Sequence, residues 1–475
     1  PMTALRRLER LTSLRLAWNE ISELPEDGYS KLKALNFLDL SSNNFEVITL
    51  NCFRSPLFRD LLLVERLYLT NNSISRIEDS AFQPMQALKF LELSMNRLSH
   101  VTVKTFSELH ELEELYLQDN GLRRLDPYSL TALKRLRVLD LANNHLNVLH
   151  DTIFQEGLPI RTLNLRNCTV NVIERGAFRG LNNLYELNLE HNHLTASALD
   201  RLDIPGLRVL RISHNNFSQI NGESLDGLPS LQQLTMDSSQ LHQMPADIFS
   251  KNKNLAKLFL SNNLLRNLPG VLLLGLESLK EVKLDGNKFQ AVPYDAFGNA
   301  TSIETLSLAN NIVLKVDVSK LNGLTNLREL DLRGNYISYS LSIPSLLEKR
   351  KNNNYFAENP LNCGCESQEL WEWLRDHQKL VGGVGRNRGG MGVNDMESGL
   401  LRCEKPPELR GLVFLDLDPH AFCSAPLIPK LAIQDIQPFS VLVSWQSRNH
   451  SKLQGYQVVY HALDNVDEVI IITFV

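Results

Sequence analysis

The chain has 475 residues, 43% hydrophobic and 22% charged, with a formal net charge of −5. That length holds a few ordinary domains or one elongated array. The charge offers no basic field for nucleic acid or anionic lipid, and no apolar run reaches the roughly 18 residues of a membrane helix. The N-terminus, Pro1-Met2-Thr3-Ala4, already lies inside a repeated pattern and shows neither the charged nor the apolar region of a signal peptide. Together with the strand-length end at Val475, this predicts a fragment of a longer protein.

From Leu11 the pattern L-x-x-L-x-L-x-x-N-x-L runs as Leu11, Leu14, Leu16, Asn19 and Ile21. It returns in phase at first positions 35, 64, 88, 112, 136, 160, 184, 207, 231, 255, 279, 303 and 327, with steps of 24 residues except one of 29 and one of 23. This is the spacing of leucine-rich repeats. It predicts an α/β fold, a horseshoe-shaped solenoid with a parallel concave sheet. Each L-x-L is a strand with both leucines inward. The asparagine in ninth place forms a ladder that bonds the backbone of adjacent turns, with Cys168 and Ser239 standing in for it at two rungs. Position nineteen, occupied by Tyr29, Phe53, Phe82, Phe106, Phe154, Phe178 and leucines between them, predicts a hydrophobic spine behind the sheet. The extra residues of the 29-residue repeat fall between Arg54 and Leu63, on the convex side.

Outward strand positions differ along the array. Phe37, Tyr68, Phe90 and Tyr116 cross the second to fifth repeats, flanked by Asp39, Arg66, Glu92, Glu114 and Asp119. Aromatic rings with charge beside them are the composition of interface anchors, although cross-strand stacking can also serve the sheet itself. A second patch, Asn164, Arg166, Glu186, Asn188, Glu190, Arg211 and His214, is mixed in charge. His191, His193 and His214 near Glu190 read as solvated turn residues rather than metal ligands. No H-E-x-x-H, G-x-S-x-G, P-loop or dinucleotide fingerprint occurs, so neither enzyme nor cofactor is expected.

Of six cysteines, Cys52 and Cys168 fall on repeat positions and read as buried free thiols. The other four sit in Asn359-Pro360-Leu361-Asn362-Cys363-Gly364-Cys365, in Cys403-Glu404-Lys405-Pro406-Pro407 and in Phe422-Cys423, with Trp371-Glu372-Trp373-Leu374 and Leu409-Arg410-Gly411 between. From about Asn359 to Cys423 the chain resembles the cysteine-rich C-flanking cap of extracellular leucine-rich-repeat proteins. Spacing alone leaves three disulfide connectivities open. The resemblance implies Cys363 with Cys403, Cys365 with Cys423, and a helix covering the end of the solenoid. Zinc is the competing reading, but C-x-C lacks the usual knuckle spacing. Disulfides imply an oxidising compartment. The glycine-rich stretch 381–399 departs from the family pattern and reads as a flexible insertion.

After Pro426, Pro429-Lys430-Leu431-Ala432-Ile433, Val441-Leu442-Val443-Ser444-Trp445 and Gly455-Tyr456-Gln457-Val458-Val459-Tyr460 alternate as strands. This resembles part of a fibronectin type III module, an incomplete β-sandwich. The expected divisions are residues 1–358 repeats, 359–425 cap and 426–475 partial module. Asn71, Asn167, Asn216, Asn299 and Asn449 begin N-x-S/T acceptor triplets. The order of parts is similar to that of fibronectin leucine-rich transmembrane proteins and, with an added immunoglobulin domain, synaptic adhesion-like molecules. The similarity implies the ectodomain of a single-pass cell-surface adhesion or receptor protein. Its partner would be an extracellular or cell-surface protein, with a homodimer open and no nucleic acid. The alternatives are a Toll-like innate immune receptor ectodomain and a secreted matrix or carrier protein.

Overall fold

The computed structural model describes residues 8, 10–23, 32–49, 52–53, 61–154, 157–298, 300–337, 354–355, 358–376, 401–418, 430–437, 440–446, 456–462 and 465–474. Two compact units arise, Pro1–Ile312 with Ser319–Leu330, and Val313–Val318 with Asp331–Val475.

The first unit is a parallel solenoid. Strands from Ser13–Arg15 to Thr305–Ser307 follow one another in chain order along one sheet. Each has three residues and a buried centre, as at Leu38, Leu67, Leu91 and Leu115. Register holds residue for residue across the 29-residue repeat, where Phe37 lies opposite Arg66 and Asp39 opposite Tyr68. The extra residues therefore leave the sheet undisturbed; residues 54–60 lie outside the described residues, and Leu62 and Leu63 beyond them are exposed.

The asparagine ladder explains how an irregular arc keeps its buried polar groups satisfied. Nδ2 of Asn96 donates to the carbonyl oxygens of Leu69 in the preceding turn (2.9 Å) and of Leu93 (3.0 Å), while its Oδ1 accepts from the Ile74 amide (3.0 Å). Cys168 holds its rung through Sγ, 3.0 Å from the Leu141 carbonyl oxygen. Asn19, the first rung, is exposed and bonds only within its own turn, to Leu16 and Ala17. The residue before each rung turns left-handed, with φ of 53° at Asn71, 56° at Asp119 and 50° at Asn167, a conformation that suits asparagine and aspartate.

Behind the sheet the spine stacks: Phe53 on Phe82 at 5.9 Å, Phe82 on Phe106 at 6.3 Å, Phe154 on Phe178 at 5.9 Å between centroids. Tyr29 lies outside the described residues. Turns also pack backbone to backbone, and Gly227 marks the tightest approach: a Cβ there would stand 2.2 Å from the Leu202 carbonyl oxygen. Cys168 is fully buried and free as expected, but Cys52 is only half-buried, its Sγ turned to the Thr49 amide at 3.3 Å.

In the second unit the ladder continues. Asn335 accepts from the Val313 amide (3.0 Å), and Asn359 accepts from the Ile337 amide (3.0 Å) and donates to Leu332 (2.9 Å). Asn359 thus completes the degenerate last repeat. A disulfide joins Cys363 to Cys403 and ties the paired strands Leu361–Asn362 and Cys403–Lys405. Cys365 is disulfide-bonded as well; Cys423, its implied partner, lies outside the described residues, as does the stretch 381–399. Helix Gln368–Asp376 buries Leu370, Trp371 and Leu374 and packs on the turn Phe414–Asp416. Two antiparallel ladders follow, Lys430–Gln437 with Ser440–Gln446 and Tyr456–Ala462 with Asn465–Phe474. Among the described residues no helix is long and apolar enough to cross a membrane.

A candidate protein-binding face

The residues on either side of each buried strand leucine occupy the open face of the sheet. Because register is one to one, they form columns that run from turn to turn. Phe37, Tyr68, Phe90 and Tyr116 alternate between two such columns, and that zigzag brings their rings together. Centroids are 5.1 Å apart for Phe37 and Tyr68, 4.8 Å for Tyr68 and Phe90, and 5.2 Å for Phe90 and Tyr116, each pair tilted. All four are half-buried, so each keeps part of its ring in water. Arg15 lies 5.2 Å from the Phe37 ring and Arg66 5.4 Å from that of Phe90, close enough for cation–π attraction.

Carboxylates fill the remaining places. Asp39 accepts from the Ser41 amide at 3.0 Å and Glu92 from the Ser94 amide at 3.1 Å. Glu114 accepts from the Tyr116 hydroxyl at 2.8 Å. Burial, and then the Glu114 acceptor, push the Tyr116 phenol far up. Asp140 belongs to the same face, a residue the sequence reading passed over; it accepts from the Ala142 amide and from Asn164 Nδ2, both at 2.9 Å. Burial holds Glu92 and Asp140 above the ordinary carboxylate range. Asp119 departs from expectation: it sits at the turn edge, accepting from Asn143 at 2.8 Å, rather than among the rings.

The second patch is internally neutralised. Arg166 pairs with Glu190 at 2.6 Å and Arg211 with Glu186 at 2.9 Å. His191 and His214 are not merely solvated: their rings stack at 4.0 Å, and burial, then the charges of His214 and Arg166, lower the pKa of His191. Among the described residues no group of three or more His, Cys, Asp or Glu side chains could hold a metal ion. A groove of about 840 Å³, also unforeseen, lies among the return segments behind the sheet, lined by Arg175, Arg179, Arg201, Asp200, Glu223 and Ser224 among others. Its charges are mixed, and no histidine or cysteine lines it.

Asn71 and Asn167 are exposed on the left-handed edge, their Nδ2 atoms bonded to Ser42 Oγ (3.0 Å) and Asn143 Oδ1 (2.9 Å). Asn216 is exposed beside its rung. Asn299 and Asn449 lie outside the described residues.

A family model for the leucine rich repeat matches residues 63–122, 134–194, 202–241, 236–289 and 277–337, more than half of the chain. The chain belongs to the leucine-rich-repeat family. Two-copy and single-repeat models add residues 110–152 and 326–349. Among relatives, keratocan of Gallus gallus is 34% identical over 19% of this leucine-rich-repeat chain and 30% of its own length. Fibromodulin of Sus scrofa is 35% identical over 21% of this chain and 62% of its own. The match thus spans less than two thirds of either relative. Among solved structures, a leucine-rich-repeat protein of Leptospira interrogans superposes with a TM-score of 0.61 at 24% identity, covering 78% of this chain and 96% of that one. A chain of the glycosylated Drosophila Toll–Spatzle complex gives 0.68 at 22%, covering 91% and 61%. These two likenesses concern the fold alone.

Proposed function

We propose that this leucine-rich-repeat chain is the protein-binding ectodomain of a cell-surface adhesion or receptor protein. It recognises an extracellular protein through Phe37, Asp39, Arg66, Tyr68, Phe90, Glu92, Glu114 and Tyr116, and it is not an enzyme. The observation that carries this reading is the unbroken run of four half-exposed rings, 4.8–5.2 Å apart, on an open sheet face. Rigid aromatic side chains held by their neighbours bind at low cost in conformational entropy. The Cys363–Cys403 disulfide supports an oxidising, extracellular compartment, in which Asn71, Asn167 and Asn216 would carry N-linked sugars. The antiparallel ladders after residue 430 support a fibronectin type III-like module, and membrane anchoring beyond the chain belongs to the same proposal.

A Toll-like receptor ectodomain is the second reading, which shares the solenoid fold of the Toll–Spatzle chain. In either case the test is the same. A cell-surface interaction screen supplies the partner, and Tyr68→Ala, Phe90→Ala and Tyr116→Ala together are expected to weaken it by about a hundredfold while the fold survives. Unchanged binding moves the site elsewhere.

A further inference from the structure

One column of the open face alternates in chemistry. Taken one residue per turn, the position after the central leucine is Arg15, Asp39, Tyr68, Glu92, Tyr116 and Asp140, and Arg15 lies over the Phe37 ring without an ion pair to Asp39. Adjacent strands lie about 4.8 Å apart, so successive carboxylates stand about 10 Å apart with a tyrosine between them. Each carboxylate accepts from neutral donors, the amides of Ser41, Ser94 and Ala142 and the side chain of Asn164. Among the described residues none of the three forms an ion pair.

The rest of the face behaves differently. From Thr162–Asn164 to Thr305–Ser307 every charged strand residue is paired: Arg211 with Glu186 at 2.9 Å, and Lys257 and Lys283 with Glu281 at 3.4 and 3.2 Å. Stacking within the sheet accounts for the tyrosines but not for half-buried carboxylates without a cation, which cost stability. Burial leaves Glu92 and Asp140 above the usual range for want of that compensating charge. A cation arriving from outside meets a carboxylate and the negative face of a tyrosine ring together.

We propose that this column is the docking track for a protein segment that presents lysine or arginine side chains about 10 Å apart, each cation entering between a tyrosine ring and a carboxylate. Three residues of a polyproline II segment rise about 9 Å and bring the side chain back to the same face, so a basic residue at every third position of such a segment matches the track. The inference rests on the same face being the partner-binding surface and adds the sign and spacing of what binds there.

The probe is a fluorescent Arg-Ser-Ser-Arg-Ser-Ser-Arg peptide titrated into the whole chain, with an isomer carrying its three arginines in a row and a glutamate counterpart as controls. Saturable binding of the spaced peptide is expected, with weaker binding of the isomer and none of the glutamate peptide. Asp39→Asn, Glu92→Gln and Asp140→Asn together preserve size and acceptors, and circular dichroism reports whether the fold is kept. They are expected to weaken the spaced peptide by about tenfold or more. Absent binding, equal binding of the isomer, or an unaffected amide variant overturns the proposal. The screened partner separates the two ideas. If the tyrosine and phenylalanine variants lose it while the amide variant keeps it, the face docks a partner but not a cationic one. If neither variant alters it, the face itself is misassigned.

Discussion

Nδ2 of Asn144 donates to the carbonyl oxygen of Leu117, 3.0 Å away and one full turn earlier, while its Oδ1 accepts from the Leu122 amide at the same distance. The side chain is fully buried, so no water can take its place. Asn144→Ala is expected to cost about 3 kcal/mol, the penalty of leaving buried backbone groups unpaired. Asn144→Cys is expected to cost less, since Cys168 already holds a rung. Urea midpoints followed by circular dichroism read both, and equal losses would show that the thiol bond contributes nothing.

The two free thiols differ in environment. Cys168 is fully buried, and burial pushes its thiol up to about 12. Cys52 is half-buried beside Thr49. Iodoacetamide applied to the folded chain at pH 8 is therefore expected to modify Cys52 and spare Cys168 until denaturant is added, as peptide mass spectrometry would show. Labelling of Cys168 at the rate of Cys52 would mean that its turn opens readily.

Much of this architecture is legible in the leucines because a solenoid makes its contacts locally: Leu38, Leu67 and Leu91 need only face inward once per turn. The ring run was visible as four aromatic residues, but its contacts were not. Whether Tyr68 meets both Phe37 and Phe90 depends on register across the 29-residue repeat, and a shift of one residue would have turned Arg66 and Tyr68 away. Asp140 was missed for a related reason. Its neighbour on the open face of the same strand is Val138 rather than an aromatic residue, and it becomes part of the face only when positions are compared turn by turn. The half-exposure of Cys52 escaped the pattern, although its neighbour Phe53 keeps its buried place in the spine.

Glu92 has its folded pKa raised, chiefly by burial and then by the charge of Asp140. A raised acid favours the fold when protonated. That contribution is present below the unfolded value, about 4, and is lost as pH rises through the folded one. Glu92→Gln keeps the acceptor for the Ser94 amide and removes the charge. The variant is expected to match the parent near pH 3 and to become the more stable of the two by pH 7. Parallel melting temperatures across that range would refute uncompensated burial.

The Cys363–Cys403 bond closes a loop of sequence separation 40, and constraining the unfolded chain to that degree stabilises by about 4 kcal/mol in the chain-entropy account. Its strands offer a local reporter, because the Cys363 amide donates to the Lys405 carbonyl oxygen at 2.7 Å. Reduction is expected to speed hydrogen exchange at Cys363 and at the Cys403 amide, which donates to Leu412 at 2.9 Å. A metal-bound cluster would respond to chelation, whereas a disulfide does not. Exchange should therefore be unchanged by EDTA and accelerated by a phosphine reductant. The reverse pattern would replace the disulfide with a metal site.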